Sequence, residues 1–192
     1  MEEDFKKAVE FHGHVCLGLA MGYRVARYVK GHYPRSEDEE LVCIAENKSC
    51  SVDAVQSLLG CTAGKGNLVL VDNGKQTFTF YSRDQGKALR IYFKGDVFAG
   101  MDAMRQKMAA GNLTPAEKKE MQSLRSRIME QILAGRDEDL LDVREAEIPA
   151  PEKARIYPSL VCQECGERFM EIMGRTAEGK VLCKDCFARL IC

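Results

Sequence analysis

Near one end of the chain stand two close cysteine pairs, Cys162-x2-Cys165 and Cys183-x2-Cys186, separated by 17 residues. This spacing matches metal-binding ribbons and fingers in type and length. Each Cys-x2-Cys can turn so that both thiolates meet one tetrahedral ion at about 2.3 Å. Gly166, directly after Cys165, suits the tight knuckle. FMEIMG and KVLC flank Ala177-Glu178-Gly179, which predicts a hairpin. DCFARLI predicts a short helix whose N-terminus favours thiolates.

Knuckle, hairpin and helix in that order resemble a treble-clef finger. Four thiolates also suit iron. A short tail with little core of its own needs a metal to fold, so the assignment is a closed structural zinc site at Cys162, Cys165, Cys183 and Cys186. Basic residues in this segment are offset by acidic ones, and the whole chain carries a net charge of −1. Nucleic-acid binding is therefore not expected. Cys192 reads as an unpaired terminal thiol.

The remaining chemistry is segregated. Of nine cysteines, Cys16, Cys43, Cys50 and Cys61 lie early in the chain, and all three histidines precede residue 33. The first residues, MEEDFKKAVEF, are charged and lack an apolar run, so no signal peptide is expected there. No stretch is long and apolar enough for a membrane span. A cytoplasmic protein with reduced cysteines follows as the expectation, and the thiols are read as ligands or reactive groups rather than disulfides.

His12-Gly-His14-x-Cys16 packs three potential ligands into five residues. Cys16 lies near a predicted helix start, where a thiol's pKa falls. Cys50 and Cys61 bracket a predicted helix and would lie roughly 15 Å apart, too far to share one ion. Cys61 is the better candidate to join the His-Cys segment, because Gly60, Gly64 and Gly66 allow close approach. Cys43 alternates within a predicted strand and reads as a small buried hydrophobe. Gly60-Cys-Thr-Ala-Gly64-Lys65-Gly66 is not a P-loop: only three residues separate the first two glycines, and no Ser or Thr follows Lys65. An anion-binding nest beside Lys65 remains open.

The pattern predicts helices at 2–11, 16–30, 51–59, 97–110 and 115–134. Strands are predicted at 41–47, 68–72, 76–82, 87–93 and 140–148. Val15, Leu19, Gly22, Ala26 and Val29 form an apolar stripe on the second helix, and Gly18 and Gly22 let another element approach. Ser51 is a candidate cap for the third helix. Asn73-Gly74 signals a tight hairpin between the second and third strands. Thr114-Pro115-Ala116-Glu117 is a capping box with proline at the first helical position. Met101, Met104 and Met108 line one face of the fourth helix, and Met121, Leu124, Ile128 and Ile132 line one face of the fifth. These faces read as core, and they also favour a homodimer. Domain limits follow: 1–148 as the main domain, 149–158 as a proline-bearing linker and 159–192 as the finger.

FHGHVCLGLAMGYRVA, CSVDAVQSLLGCTAGKGNL and DNGKQTFTFYSRDQGKALRIYF together resemble the FmdE-type family, named for the E component of formylmethanofuran dehydrogenase. The resemblance covers about residues 5–95, and the terminal cysteine module is similar to that of two-domain members. It implies an α+β fold: a five-stranded mixed sheet flanked by helices, a loosely thioredoxin-like core. The strand count agrees. It also implies a cleft able to hold a second zinc or another transition metal. By motif position His14, Cys16 and Cys61 carry over as its ligands or catalytic groups, with His12 and Cys50 behind them. Asp53 and Lys65 could assist as base and anion holder. Many members have proline after the motif cysteine, where this chain has Leu17.

The resemblance further implies a metal-binding accessory protein of a molybdenum or tungsten formylmethanofuran-dehydrogenase-type oxidoreductase, within a larger complex. The alternative is a non-catalytic assembly or metal-delivery module that docks partners through its finger.

Overall fold

The computed structural model describes residues 2–111 and 113–191, without the side chains at positions 105 and 110; the terminal Cys192 thiol lies outside the described residues. The chain divides into two compact units, Met1–Lys153 and Ala154–Cys192.

The first unit runs α1 (Glu3–His12), α2 (Leu17–Lys30), β1 (Leu41–Ala45), α3 (Ser51–Leu59), β2 (Leu68–Leu70), β3 (Thr77–Ser82) and β4 (Lys87–Phe93), then α4 (Met101–Ala110), α5 (Pro115–Ala134), α6 (Asp137–Leu140) and β5 (Leu141–Ala146). The five strands form one mixed sheet in the order β2-β1-β3-β4-β5. Only the β1–β2 pair is parallel among them.

That pairing overturns the expected hairpin at Asn73-Gly74. The helix α3 lies between β1 and β2 in the chain, and a helical crossover returns the chain parallel to the strand it left. β2 takes one edge of β1, so β3 must take the other. The 71–76 segment instead crosses the end of β1, with Val71 N–H donating to the Ala45 carbonyl and Lys75 N–H to that of Glu46.

One sheet face carries Cys43, Phe78, Phe80, Ile91 and Phe93, all buried in the main core. The opposite face is more polar, with Arg90 paired to Glu46 at 2.8 Å. α2 is the central helix of the other layer. Its Leu19, Gly22, Ala26 and Val29 are buried as the stripe predicts, whereas Val15 precedes the helix and is 50% exposed. The Arg24 side chain, wholly buried, donates to the carbonyls of Ile132, Leu133 and Gly135 and to Asp137 Oδ1. It thereby satisfies the orphan carbonyls at the end of α5.

The capping box forms as expected: Thr114 Oγ1 accepts from Glu117 N–H, and Glu117 Oε2 accepts from Thr114 N–H. Ser51 does not cap α3. Cys50 holds the N-cap position, and Ser51 turns inward to bond Asn47 and Gln76. Of the methionine faces, Met101, Met104 and Met121 are buried, while Met108 is 47% exposed.

The second unit holds two short antiparallel pairs, β6 (Ser159–Val161) with β7 (Arg168–Met170) and β8 (Arg175–Ala177) with β9 (Lys180–Leu182), followed by α7 (Lys184–Ile191). Gly166 takes φ +76° in the knuckle, a conformation that glycine adopts without strain. Among the described residues its buried apolar core is Cys162, Leu182 and Cys186. No helix among the described residues is long and apolar enough to cross a membrane.

Candidate metal centres

The finger site follows from its two knuckles. The sulfurs of Cys162, Cys165, Cys183 and Cys186 all lie within 4.8 Å of one another. Cys162 Sγ accepts the N–H of Cys183 at 3.3 Å, and Arg189 Nη2 donates to Cys186 Sγ at 3.0 Å. Backbone N–H groups of Cys165 and Cys183 lower the Cys162 pKa to about 6. Four convergent thiols with backbone and arginine donors around them fit a closed tetrahedral ion.

The first unit builds another group of donors from three helix ends. α1 stops at His12 because Gly13 adopts the left-handed conformation, φ +96°, and returns its N–H to Val9. The chain then extends to Cys16, the N-cap of α2, whose Sγ accepts the N–H of Leu19 at 3.3 Å. Here sulfur fixes the helix start, and Leu17 is the first helical residue. Cys50 arrives from the N-cap of α3.

What brings α3 in is glycine on α2. A Cβ at Gly22 would lie 2.0 Å from the Ser51 carbonyl oxygen, and one at Gly18 would lie 3.1 Å from Cys50 Cβ. His12, Cys16 and Cys50 thus each offer a ligand atom, all within 4.8 Å of one another.

The imidazole is oriented from behind. Its Nδ1 lies 2.7 Å from Asp53 Oδ2, and its Nε2 lies 3.7 Å from Cys16 Sγ. An ionised carboxylate only accepts, so Nδ1 donates to Asp53 and Nε2 is the ring nitrogen that faces the sulfurs. This is the carboxylate–histidine arrangement that supports metal ligands. Burial, followed by the neighbouring Cys16 sulfur, pushes the Cys50 thiol up. The donor set of two sulfurs and one aligned imidazole fits a zinc-like ion with a fourth position left over.

Two expectations need correction. Cys61 is not in this group. It lies beyond the other end of α3, fully buried, with its thiol donating to the Leu41 carbonyl at 3.5 Å. Burial pushes its pKa up to about 12. His14 is not in the group either; after the turn at Gly13 its exposed ring lies tilted against that of His12, with centroids 4.5 Å apart. Cys50 and His12, ranked behind them, take their places.

Lys65 is also committed elsewhere: its Nζ donates to the carbonyls of Ser36 and Glu37. Asn67 staples the same glycine-rich loop, so the lysine and the loop are engaged in holding the fold rather than an anion. Asp53 is near, as expected, but as the partner of His12. With its pKa near 12, Cys61 remains a thiol at pH 8, so it should resist alkylation in the native protein and react only on denaturation. Mass mapping after iodoacetamide treatment checks this; rapid native labelling at Cys61 would contradict its burial.

The comparisons with known proteins agree with this division. A family model described as FmdE, molybdenum formylmethanofuran dehydrogenase operon, matches residues 11–142. A prokaryotic dksA/traR C4-type zinc finger matches residues 155–190. A solved structure, a tungsten formylmethanofuran dehydrogenase FmdE-like protein from Syntrophus aciditrophicus, superposes with a TM-score of 0.65 at 24% identity, covering 96% of this chain and 90% of that one. At that identity the likeness concerns the fold. A probable S-adenosyl-L-methionine-binding protein of Archaeoglobus fulgidus is 27% identical across 94% of this chain, which spans about half (51%) of that relative's length. With its sheet, its His-Cys motif segment and more than half its length matched, the chain belongs to the FmdE family.

Proposed function

We propose that His12, Cys16 and Cys50 form an open metal centre at which this FmdE-type protein acts beside a molybdenum or tungsten formylmethanofuran-dehydrogenase-type oxidoreductase. One observation carries the reading: three soft ligand atoms within 4.8 Å of one another, with Asp53 fixing the imidazole from its far side. Three protein ligands leave a coordination position for water or substrate, the usual difference between catalytic and structural zinc. A bound ion there would supply Lewis acidity. The chain supplies two thiolates at helix N-termini, an oriented imidazole and the carboxylate behind it. The oxidoreductase link is supported by the description of the family, a molybdenum formylmethanofuran dehydrogenase operon. The same reading takes the protein to be cytoplasmic and to work within a larger assembly.

A second reading, an assembly or metal-delivery module, has its own support. The finger unit leaves the apolar side chains of Val161, Met170, Ile172 and Ile191 exposed, and a protein partner could cover them. X-ray absorption at the first site separates the two. Two sulfurs, one imidazole and a light exchangeable ligand support chemistry, whereas a closed protein shell supports assembly.

Metal content tests the centre directly. The wild type should carry an ion at each of the two donor groups found among the described residues. Cys16→Ser and Cys50→Ser should each lose the first-unit ion and keep the finger ion, while Cys61→Ser keeps both. Asp53→Asn should retain the site with affinity reduced about 10–100-fold. Loss of metal in Cys61→Ser with retention in Cys50→Ser would overturn the assignment.

A further inference from the structure

A cavity of about 1250 Å³ opens beside the His12–Cys16–Cys50 group, and Cys16 belongs to both. Its wall is mainly apolar, with Val15 and Leu17 next to Cys16 and Met101, Met104, Met121 and Met129 from α4 and α5. The chain has nine methionines, and five of them line this one cavity, Met108 being the fifth. Methionine is flexible and polarisable, so such a wall adapts to a chain rather than to one rigid shape.

Charge narrows the ligand further. Two thiolates and a neutral imidazole already cancel a divalent cation. The cavity adds Arg125 and His14 but also Glu2 and Glu130, so even a protonated His14 leaves its lining with no surplus of positive charge. An anion ligating the fourth position would be left uncompensated against an apolar wall, which is costly. A neutral oxygen donor is not.

We propose that this cavity is the substrate pocket of the metal centre. It takes an uncharged, largely apolar straight-chain molecule that presents a hydroxyl or carbonyl oxygen beside Cys16. The proposal rests on the metal reading above, and cobalt keeps their failures apart. The full chain, loaded anaerobically with cobalt(II), is compared with Cys50→Ser, so that the absorption bands missing from the variant report the first-unit site. Straight-chain primary alcohols, methyl ketones and carboxylates are then titrated in homologous series.

The neutral probes should perturb those bands, with affinity rising about fourfold per methylene as each buried CH2 contributes about 0.8 kcal/mol. Carboxylates of equal length should bind more weakly. Met121→Asp should weaken binding at least about tenfold with cobalt loading intact; Met104→Asp serves if circular dichroism shows the first variant unfolded. The wild-type series stands without either variant. Carboxylates binding as tightly as alcohols, or affinity independent of chain length, would overturn the proposal with the metal reading intact. No bands beyond those of Cys50→Ser would sink the metal reading and the proposal together. A loaded protein that sediments as a dimer and binds none of the probes would overturn the proposal and assign the methionine wall to a second copy of the chain.

Discussion

Chelation of the full chain, or Cys183→Ser, is expected to unfold residues 154–191 while the unit Met1–Lys153 stays folded. The reason is the size of the finger's core. Of the three residues buried among those described in it, Cys162 and Cys186 belong to the four-cysteine group that would hold the metal, and Leu182 does not. Phe169 and Phe187 are partly covered, and the β-pairs are three residues per strand. So few apolar contacts cannot offset the ordering of this many residues. A structural zinc contributes about 10–16 kcal/mol of apparent binding energy at neutral pH, which in such a unit is folding energy.

Removal also leaves four sulfurs crowded within 4.8 Å, with the Cys162 pKa lowered to about 6 by backbone donors. Because ligation needs thiolates, acid should favour metal loss and unfolding, and neutral to alkaline pH should favour the loaded state. Segment-resolved hydrogen exchange reads the outcome: protection should vanish after residue 154 and persist in β1, β3 and α2. Finger protection that survives chelation would show that its apolar contacts suffice.

Gly22→Ala should destabilise the first unit by about 3 kcal/mol and empty the His12–Cys16–Cys50 site. On propensity alone, alanine in a helix interior is better than glycine by about 1 kcal/mol. Here the added Cβ would lie 2.0 Å from the Ser51 carbonyl oxygen and 2.6 Å from its Cα, both backbone atoms that cannot swing aside. α3 must move off α2, and overpacking of this kind costs about 1–3 kcal/mol or more. The same shift carries Cys50 away from Cys16. Gly18→Ala is the contrast: its Cβ would meet Cys50 Cβ at 3.1 Å, a few tenths of an ångström too close. It should change stability little while loosening the metal. Urea denaturation at constant m-value, with metal content measured alongside, checks both. A stabilised Gly22→Ala would mean that the two helices are not in backbone contact.

Local signals were readable wherever one segment carries its own chemistry. The finger cysteines follow from spacing, since each knuckle needs only four consecutive residues. The helix start at Thr114 follows from the capping box, which is closed within one turn. Gly18 and Gly22 marked a face meant for close approach, although not what would approach it. The hairpin at Asn73-Gly74 failed because turn chemistry says nothing of what lies between two strands in space, and α3 had already placed β2 on the far side of β1.

The candidate site divides along the same line. By itself the sequence determined that one end of the chain is a four-cysteine metal module, and that a His-Cys segment near the other end carries the remaining chemistry. These conclusions rest on residues adjacent in the chain, whose separation the covalent backbone limits. Only the tertiary structure decided which distant cysteine completes that segment. Cys50 and Cys61 sit at opposite ends of one helix, so the choice depends on which end meets α2. Backbone contact at Gly22 selects the Cys50 end and buries the Cys61 thiol against the carbonyl of Leu41. Which helix end docks where is a property of packing between elements, and no local pattern of residues encodes it.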